Sequence, residues 1–185
     1  MDPKPSTVVD NQNFNSTKWH FLTMPTERKM PDWVYTDTRP KADREYFENL
    51  ARCVFQAGLS WQLMTNKWPG FQRAFDGFDV DKVTAYGAED LKRLINDPGI
   101  VRNRNKIVAT IQNAREFEII SREHGSFQRW LDSIDRSNNY DRVVKSLRSR
   151  LKRVGPGTAH IFLWSVGEKI EYDPAVHTRR PTKIV

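Results

Sequence analysis

Apolar side chains recur along most of this chain at the three- and four-residue spacing of an α-helix. The longest stripe runs from Arg104 to Glu123, and Gly125 follows it as a natural stop. The same spacing predicts further helices over Ala42–Gln56, Gln62–Phe75, Val80–Tyr86, Glu89–Ile95, Phe127–Ile134, Tyr140–Arg153 and Thr158–Val166. No segment alternates polar and apolar residues as a half-buried strand does. The pattern therefore predicts an all-α fold, a compact bundle of roughly eight to ten helices.

The sequence divides into a polar arm and one helical domain. Residues 1–30 are rich in asparagine and interrupted by proline, so we expect a flexible N-terminal arm there and no signal peptide. Residues 31–185 contain every predicted helix, show no internal repeat and are expected to fold as a single domain. No stretch approaches the roughly 20 apolar residues of a membrane span. We therefore expect a monomer with no membrane contact.

Charge and cysteine content narrow the classes of partner and site. The formal net charge is +7 and the isoelectric point is near 9.6, which favours a polyanionic partner. Cys53 is the single cysteine, so the chain can form neither an internal disulfide nor a zinc cluster based on cysteines. These features indicate a reducing cytoplasm and predict no metal site and no cofactor.

The strongest local motif is a basic helix that leads into a tight hairpin. Its basic residues have no acid among them after Asp141, and they are Arg142, Lys145, Arg148, Arg150, Lys152 and Arg153. A basic helix face alone is equally typical of a solvated surface. Here, however, Gly155 and Gly157 follow, and they open the backbone N–H groups of the next helix to a phosphate. We therefore predict that Lys152, Arg153, Gly155, Gly157 and Thr158 bind DNA phosphates without reading sequence.

The segment Leu151–Ala159 resembles the hairpin of the helix-hairpin-helix DNA glycosylases, although Lys152 and Arg153 replace the usual proline and glycine. The resemblance implies the helix-hairpin-helix glycosylase fold and base-excision repair of double-stranded DNA. It also implies a catalytic aspartate after the hairpin's second helix, and Asp173 occupies that place. Members that also cut the strand carry a lysine where this chain has Gly157. The resemblance therefore implies a monofunctional glycosylase.

Asp173 has two possible roles. A fixed carboxylate near the sugar stabilises the oxocarbenium charge that develops as a glycosidic bond breaks, and it can orient the attacking water. Asp173 also precedes Pro174, so it fits the N-cap of a closing helix. The sequence leaves both roles open.

Two further segments, Phe55–Trp61 and Gly99–Ile107, resemble one branch, the DNA-3-methyladenine glycosylase I family. With the hairpin, this resemblance runs from about Asp43 to Asp173. We expect the turn that begins at Gln56 to present Leu59 to DNA as an apolar wedge, which fills the gap left by a flipped nucleotide.

The same turn leads to the predicted base pocket. Trp61 can form one wall, because an electron-rich ring stacks well on a cationic alkylated purine. Trp33 and Tyr46 are candidates for the opposite wall, with core packing as the alternative for each aromatic residue. Cys53 occupies the position of the family's pocket glutamate, and a thiol cannot accept a base N–H as a carboxylate does.

The family's zinc site is also missing from this sequence. That site uses paired cysteines and histidines near the two termini, whereas this chain offers His20 and His177 alone.

These observations favour a glycosylase that removes an alkylated purine such as 3-methyladenine. A glycosylase for a deaminated or mismatched base is the alternative that the altered pocket allows. A non-catalytic DNA-binding protein with a helix-hairpin-helix motif is the alternative from a different class; Asp173 argues against it and Cys53 for it.

Overall fold

Nine α-helices and a short 3-10 turn form the regular structure of residues 30–177, which are the residues that the computed structural model describes. The predicted arm lies outside the described residues except for Met30, and so does His20. The helices are α1 (Asp43–Gln56), α2 (Trp61–Ala74), α3 (Val80–Thr84), α4 (Ala88–Asn96), α5 (Arg104–His124), α6 (Phe127–Ser133), α7 (Ser137–Arg150), α8 (Pro156–Ser165) and α9 (Pro174–His177). The 3-10 turn, Asp76–Phe78, lies between α2 and α3. The prediction of an all-α fold is confirmed.

Several helix ends follow from side chains close to them in sequence. Ser60, Asp79, Asn103 and Ser126 each accept a hydrogen bond from a backbone N–H in the first turn of the helix that follows. Gly125 ends α5 with a φ of 85°, a left-handed conformation that glycine adopts at little cost. These local signals explain why the sequence predicted the helices to within a few residues.

The prediction was wrong at the end of α7, which it extended to Arg153. The helix ends at Arg150, and Leu151 adopts extended backbone with φ −101° and ψ 143°. A distant residue causes this difference, because the side chain of Asn113 on α5 binds both backbone polar groups of Lys152. The next helix, α8, begins at Pro156, two residues before the predicted start.

Helix α1 lies at the centre of the fold and packs against α2, α5, α6 and α8. Aromatic rings fill much of the space between these helices. Phe117 and Phe127 stack in parallel with their ring centroids 4.1 Å apart, and Phe47 of α1 contacts Phe117 at 5.4 Å. This core holds α1, the start of α2 and the helices on either side of the hairpin in fixed relative positions.

Four charged side chains join the segment before α1 to α6 and to the segment after α8. Glu168 is 8% exposed and binds Arg39 at 2.8 Å and Arg136 at 3.1 Å. Asp132 binds the same two arginines at 2.7 and 2.6 Å. In this ion-pair network (Arg39, Asp132, Arg136 and Glu168), each positive charge lies between two carboxylates. The network is therefore a structural cross-link between segments that are distant in sequence.

Within residues 30–177, no helix combines the length and the apolar character that crossing a bilayer requires.

Candidate nucleic-acid interface and active site

The hairpin between α7 and α8 is held in place by one buried amide, that of Asn113. Its Oδ1 accepts a hydrogen bond from the Lys152 N–H at 2.6 Å, and its Nδ2 donates to the Lys152 carbonyl at 3.2 Å. Asn113 is 1% exposed, so water competes little for these bonds. Hydrophobic periodicity gave no indication of this role. The signal that could have revealed it is an asparagine on the buried face of a long helix.

The tip of the hairpin places Lys152 and Arg153 in solvent. Arg153 has a φ of 61°, in the left-handed region that glycine favours. The glycosylase hairpins that this segment resembles have glycine at this position, so the arginine adopts the backbone conformation that a glycine would provide. This conformation costs free energy, and in return a long basic side chain is present at the tip.

The start of α8 is open to an anion. Gly155 is exposed, precedes Pro156 at the first helical position, and has no atom within 4 Å of the place where a Cβ would lie. Pro156 has no N–H and no side chain caps the helix, so the N–H groups of Gly157 and Thr158 are the first that a phosphate can bind. Thr158 is half-buried, and Gly157 faces α9, with a Cβ position 3.5 Å from the Val176 carbonyl.

A cleft of about 390 Å³ separates this hairpin from the end of α1 and the start of α5. We call it the hairpin cleft. Four basic side chains line it, and no carboxylate is among its lining residues. These basic residues are Lys106, Arg148, Lys152 and Arg153. The hairpin cleft is thus a concave surface whose charges all have one sign, which suits a polyanionic strand.

Next to the cleft, a tight turn joins α1 to α2. Gly58 is exposed with a φ of 82°, Leu59 is half-buried, and Ser60 caps α2. The Gln56 side chain donates from Nε2 to the Leu59 carbonyl at 3.1 Å, and the Leu59 N–H donates to the Gln56 carbonyl at 2.8 Å. Gln56 is largely buried and supports the turn from inside, so its side chain does not lie on the surface that we predicted for DNA contact. Leu59 is half-buried and packs against the hydrophobic core, so its role as a wedge stays a prediction.

Two of the predicted pocket aromatics lie together. Trp33 and Trp61 meet edge to face with their ring centroids 5.8 Å apart, and both are half-buried. Arg52 was not predicted; its guanidinium lies 4.2 Å from the centroid of Trp33 and 5.1 Å from that of Trp68. Burial, which Glu48 opposes, lowers the pKa of Arg52 to about 10, so it remains a cation at neutral pH. The cation already covers one face of Trp33, whereas Trp61 has no such neighbour among the described cation–π contacts.

Cys53 and Tyr46 do not join this indole pair. Cys53 is 1% exposed, and its Sγ lies 4.0 Å from the Ser165 Oγ in the core. Burial raises the pKa of the Cys53 thiol to about 12, so it stays protonated and inert. Tyr46 lies two turns earlier on α1, where it is fully buried and packs against Phe127 at 5.4 Å. Both residues therefore pack in the core, and neither lies on an open pocket wall.

Asp173 lies beside the helix that follows the hairpin. Its Oδ1 accepts from the Ala175 N–H at 2.8 Å, so the predicted N-cap of α9 is confirmed. The half-buried carboxylate also lies within electrostatic reach of His160 and His177, whose rings are 5.4 Å apart. Burial lowers the pKa of His160, and burial with His160 as a neighbour lowers the pKa of His177 to about 4. Both rings are neutral at pH 7, and within residues 30–177 no salt bridge joins the Asp173 carboxylate to a cation.

Among residues 30–177, no three His, Cys, Asp or Glu side chains form a group that could hold a metal ion. His177 stacks on Tyr172 and Trp164 at 5.1 and 5.2 Å. His20, the other histidine of the sequence prediction, lies outside the described residues.

Comparison with known proteins finds one consistent set of relatives. A family model described as methyladenine glycosylase matches residues 32–153. DNA-3-methyladenine glycosylase 1 of Escherichia coli (strain K12) is 42% identical over 86 residues, which are 46% of this chain and 44% of that protein. DNA-3-methyladenine glycosylase of Haemophilus influenzae is 28% identical over 148 residues, which are 70% of this chain and 80% of that protein. The match to the E. coli protein thus spans less than half of its length.

The fold shows the same relationship. This chain superposes on the structure of 3-methyladenine DNA glycosylase I from Staphylococcus aureus with a TM-score of 0.65 and 25% sequence identity. That structure gives the basis of 3-methyladenine recognition by the S. aureus protein. The superposition covers 80% of this chain and 92% of that one. Because the family model spans well over half of the sequence and includes α1 to α7, the chain belongs to the methyladenine glycosylase family.

Proposed function

We propose that this protein removes an alkylated purine such as 3-methyladenine from duplex DNA and leaves an abasic site. The observation that carries the proposal is the hairpin cleft, whose lining cations have no acid among them. The cleft lies beside the Gly58–Leu59 turn, in which Gly58 is exposed and Leu59 is half-buried. Strand binding and base flipping require these two surfaces to be neighbours. Membership of the family supplies the chemistry that follows.

In the proposed mechanism the hairpin binds strand phosphates through Lys152, Arg153 and the N–H groups at the start of α8. Leu59 enters the gap in the stack and offsets part of the few kcal/mol that flipping a base costs. The flipped base stacks on Trp61, because Arg52 already occupies a face of Trp33. An alkylated purine is cationic and leaves readily, so it needs little acid assistance.

Asp173 is the proposed catalytic residue. Its carboxylate stabilises the positive charge that develops on the deoxyribose, and it orients the attacking water. The neutral state of His160 and His177 leaves that negative charge available for the sugar. Gly157 stands where members that also cut the strand have a lysine, and it supports a monofunctional reaction without a Schiff base.

The test measures base release from alkylated duplex DNA by chromatography, beside duplexes that carry uracil, hypoxanthine or a mismatch. We expect Asp173→Asn to lower the rate of 3-methyladenine release by about a hundredfold or more while DNA affinity stays within a few-fold. Asp79→Asn is the matched control, since Asp79 also caps a helix and asparagine preserves a cap. Equal rates of base release in Asp173→Asn and Asp79→Asn would mean that Asp173 acts only as a helix cap.

The other outcomes of this panel separate the alternatives. Release of a neutral base in preference to 3-methyladenine would favour the reading as a glycosylase for deaminated or mismatched bases. Binding without release of any base would favour a non-catalytic DNA-binding protein. Strand cleavage before alkali treatment would contradict the monofunctional reaction.

Trp61→Ala tests the stacking wall. We expect a loss of at least about tenfold in excision rate, or about 1.4 kcal/mol, with Trp61→Phe retaining most of the activity because it keeps an aromatic face. An excision rate unaffected by Trp61→Ala would place the base pocket elsewhere.

A further inference from the structure

Lys106 is a buried lysine that holds the carbonyl end of another helix. It lies in the first turn of α5 and is 6% exposed. Its Nζ donates to the Phe55 carbonyl at 2.8 Å and to the Ala57 carbonyl at 2.6 Å. Both carbonyls belong to the end of α1, where carbonyl groups have no partner in a following turn. Gly58 and Leu59 come directly after them, so Lys106 fixes the base of the Gly58–Leu59 turn.

The positive charge of Lys106 has no acid to balance it within this site. Both of its hydrogen-bond acceptors are neutral carbonyls, and the side chain also lines the hairpin cleft with Arg148, Lys152 and Arg153. Burial, together with the charge of Arg153, lowers the pKa of Lys106 to about 8. A buried charge that faces other charges of its own sign costs free energy, and an anion in the cleft would remove part of that cost.

We infer that Lys106 is a positioning residue that couples phosphate binding in the hairpin cleft to insertion of the Gly58–Leu59 turn into DNA. A phosphodiester in the cleft stabilises the ammonium, and the ammonium in turn strengthens its bonds to the end of α1. The turn is then held in the position from which Leu59 enters the stack. This inference rests on the proposed function and adds a residue to which neither the sequence motifs nor the family resemblance assigned a role.

The test measures strand binding and wedge insertion on one duplex. That duplex contains a tetrahydrofuran abasic analogue with 2-aminopurine as its neighbour and carries fluorescein at one end. Anisotropy reports affinity, and the rise in 2-aminopurine fluorescence reports unstacking. Lys106→Met should lower affinity by no more than about tenfold, because one phosphate contact is lost, but should reduce the fluorescence rise by about threefold or more. Lys106→Arg, which keeps the charge and the donors, should restore most of the rise.

Lys67→Met is the matched control. Lys67 also donates from Nζ to a backbone carbonyl, that of Pro98 at 2.9 Å, but it does not line the hairpin cleft. The control removes the same charge, and its fluorescence rise should equal that of the wild type. If Lys106→Met and Lys67→Met give the same rise, the inference is overturned.

A second measurement uses the wild-type protein and does not depend on a variant that folds. At saturating protein, the fluorescence rise should decrease as the pH increases from 7 to 10, because Lys106 loses its proton. The midpoint should lie above the free pKa of about 8, since the bound phosphate stabilises the ammonium. The charged groups that face it, Arg148, Lys152 and Arg153, are those that line the cleft, and Lys106→Arg should show no such decrease. A rise independent of pH in the wild type would contradict the coupling. Failure of the wild type to bind this duplex at all would instead overturn the proposed function itself.

Discussion

Two clusters of charge in this molecule have opposite designs. In the ion-pair network, Arg39 and Arg136 each lie between Asp132 and Glu168, so every charge has a partner of the opposite sign. In the hairpin cleft, four cations line a cavity of about 390 Å³ and no carboxylate lies among them. In the ion-pair network the charges balance one another, and the network stabilises the fold. The cations of the hairpin cleft are balanced only when an anion binds there. Mutations in the ion-pair network should therefore affect stability, and mutations in the hairpin cleft should affect DNA binding.

The largest effect expected within this comparison is on stability, from Glu168→Gln. The substitution removes the most buried charge of the network and leaves two arginines to share Asp132. We expect the free energy of unfolding to fall by about 3 kcal/mol, as measured in urea, with DNA affinity unchanged while the protein is folded. Glu118→Gln is the control, because its exposed pair with Arg122 should contribute less than about 0.5 kcal/mol. An equal loss in both variants would show that the network has no special structural role.

The second prediction is an effect on binding alone. Replacing Lys152 and Arg153 together by glutamine should weaken binding to every duplex sequence by about tenfold at 0.15 M salt, because these side chains contact phosphates and not bases. The slope of log affinity against log salt should decrease by about two. Arg122→Gln with Lys145→Gln removes two charges that already pair with acids, and it should leave both quantities nearly unchanged. A change in lesion preference without a change in affinity would contradict this assignment.

The smallest expected effect comes from Arg153, where one substitution should raise stability and weaken DNA binding. Arg153→Gly should raise the free energy of unfolding by about 0.5–1 kcal/mol, because glycine adopts a φ of 61° without the strain that an arginine bears. The same change should weaken DNA binding, since it removes a cation from the cleft. Lys152→Gly is the control: its φ is not positive, so glycine there should weaken both properties. A loss of stability in Arg153→Gly would mean that the side chain also serves the fold.

The sequence predicted well what depends on neighbours along the chain. Helical periodicity located all the main helices, and Ser60, Asp79, Asn103 and Ser126 act as caps in the structure. The cap role of Asp173 was also legible in the sequence, because a capping side chain binds an N–H only two or three residues away. The roles of Lys152, Arg153, Gly155, Gly157 and Thr158 in DNA binding remain predictions; the structure exposes the first three, whereas Thr158 is half-buried and Gly157 faces α9.

Contacts between segments that are distant in sequence could not be predicted from the sequence. The last residues predicted for α7 form the hairpin instead, because Asn113 binds Lys152 across 39 residues. Cys53 matched the position of a family pocket residue in sequence, yet it lies in the core against Ser165. Arg52 covers Trp33 only because α1 packs beside the segment that precedes it. Hydrophobic periodicity shows which face of a helix is buried, but it does not show what that face meets.

The sequence by itself determined the all-helical architecture, the position of the hairpin and the family, since each depends on local periodicity or on a short motif. Only the tertiary structure decided which charges are balanced. The carboxylates of Asp132 and Glu168 come from segments distant from Arg39 and neutralise it, whereas Lys106 meets backbone carbonyls and further cations. The interaction of two charges depends on their separation in space and on their burial, and the order of residues along the chain specifies neither directly.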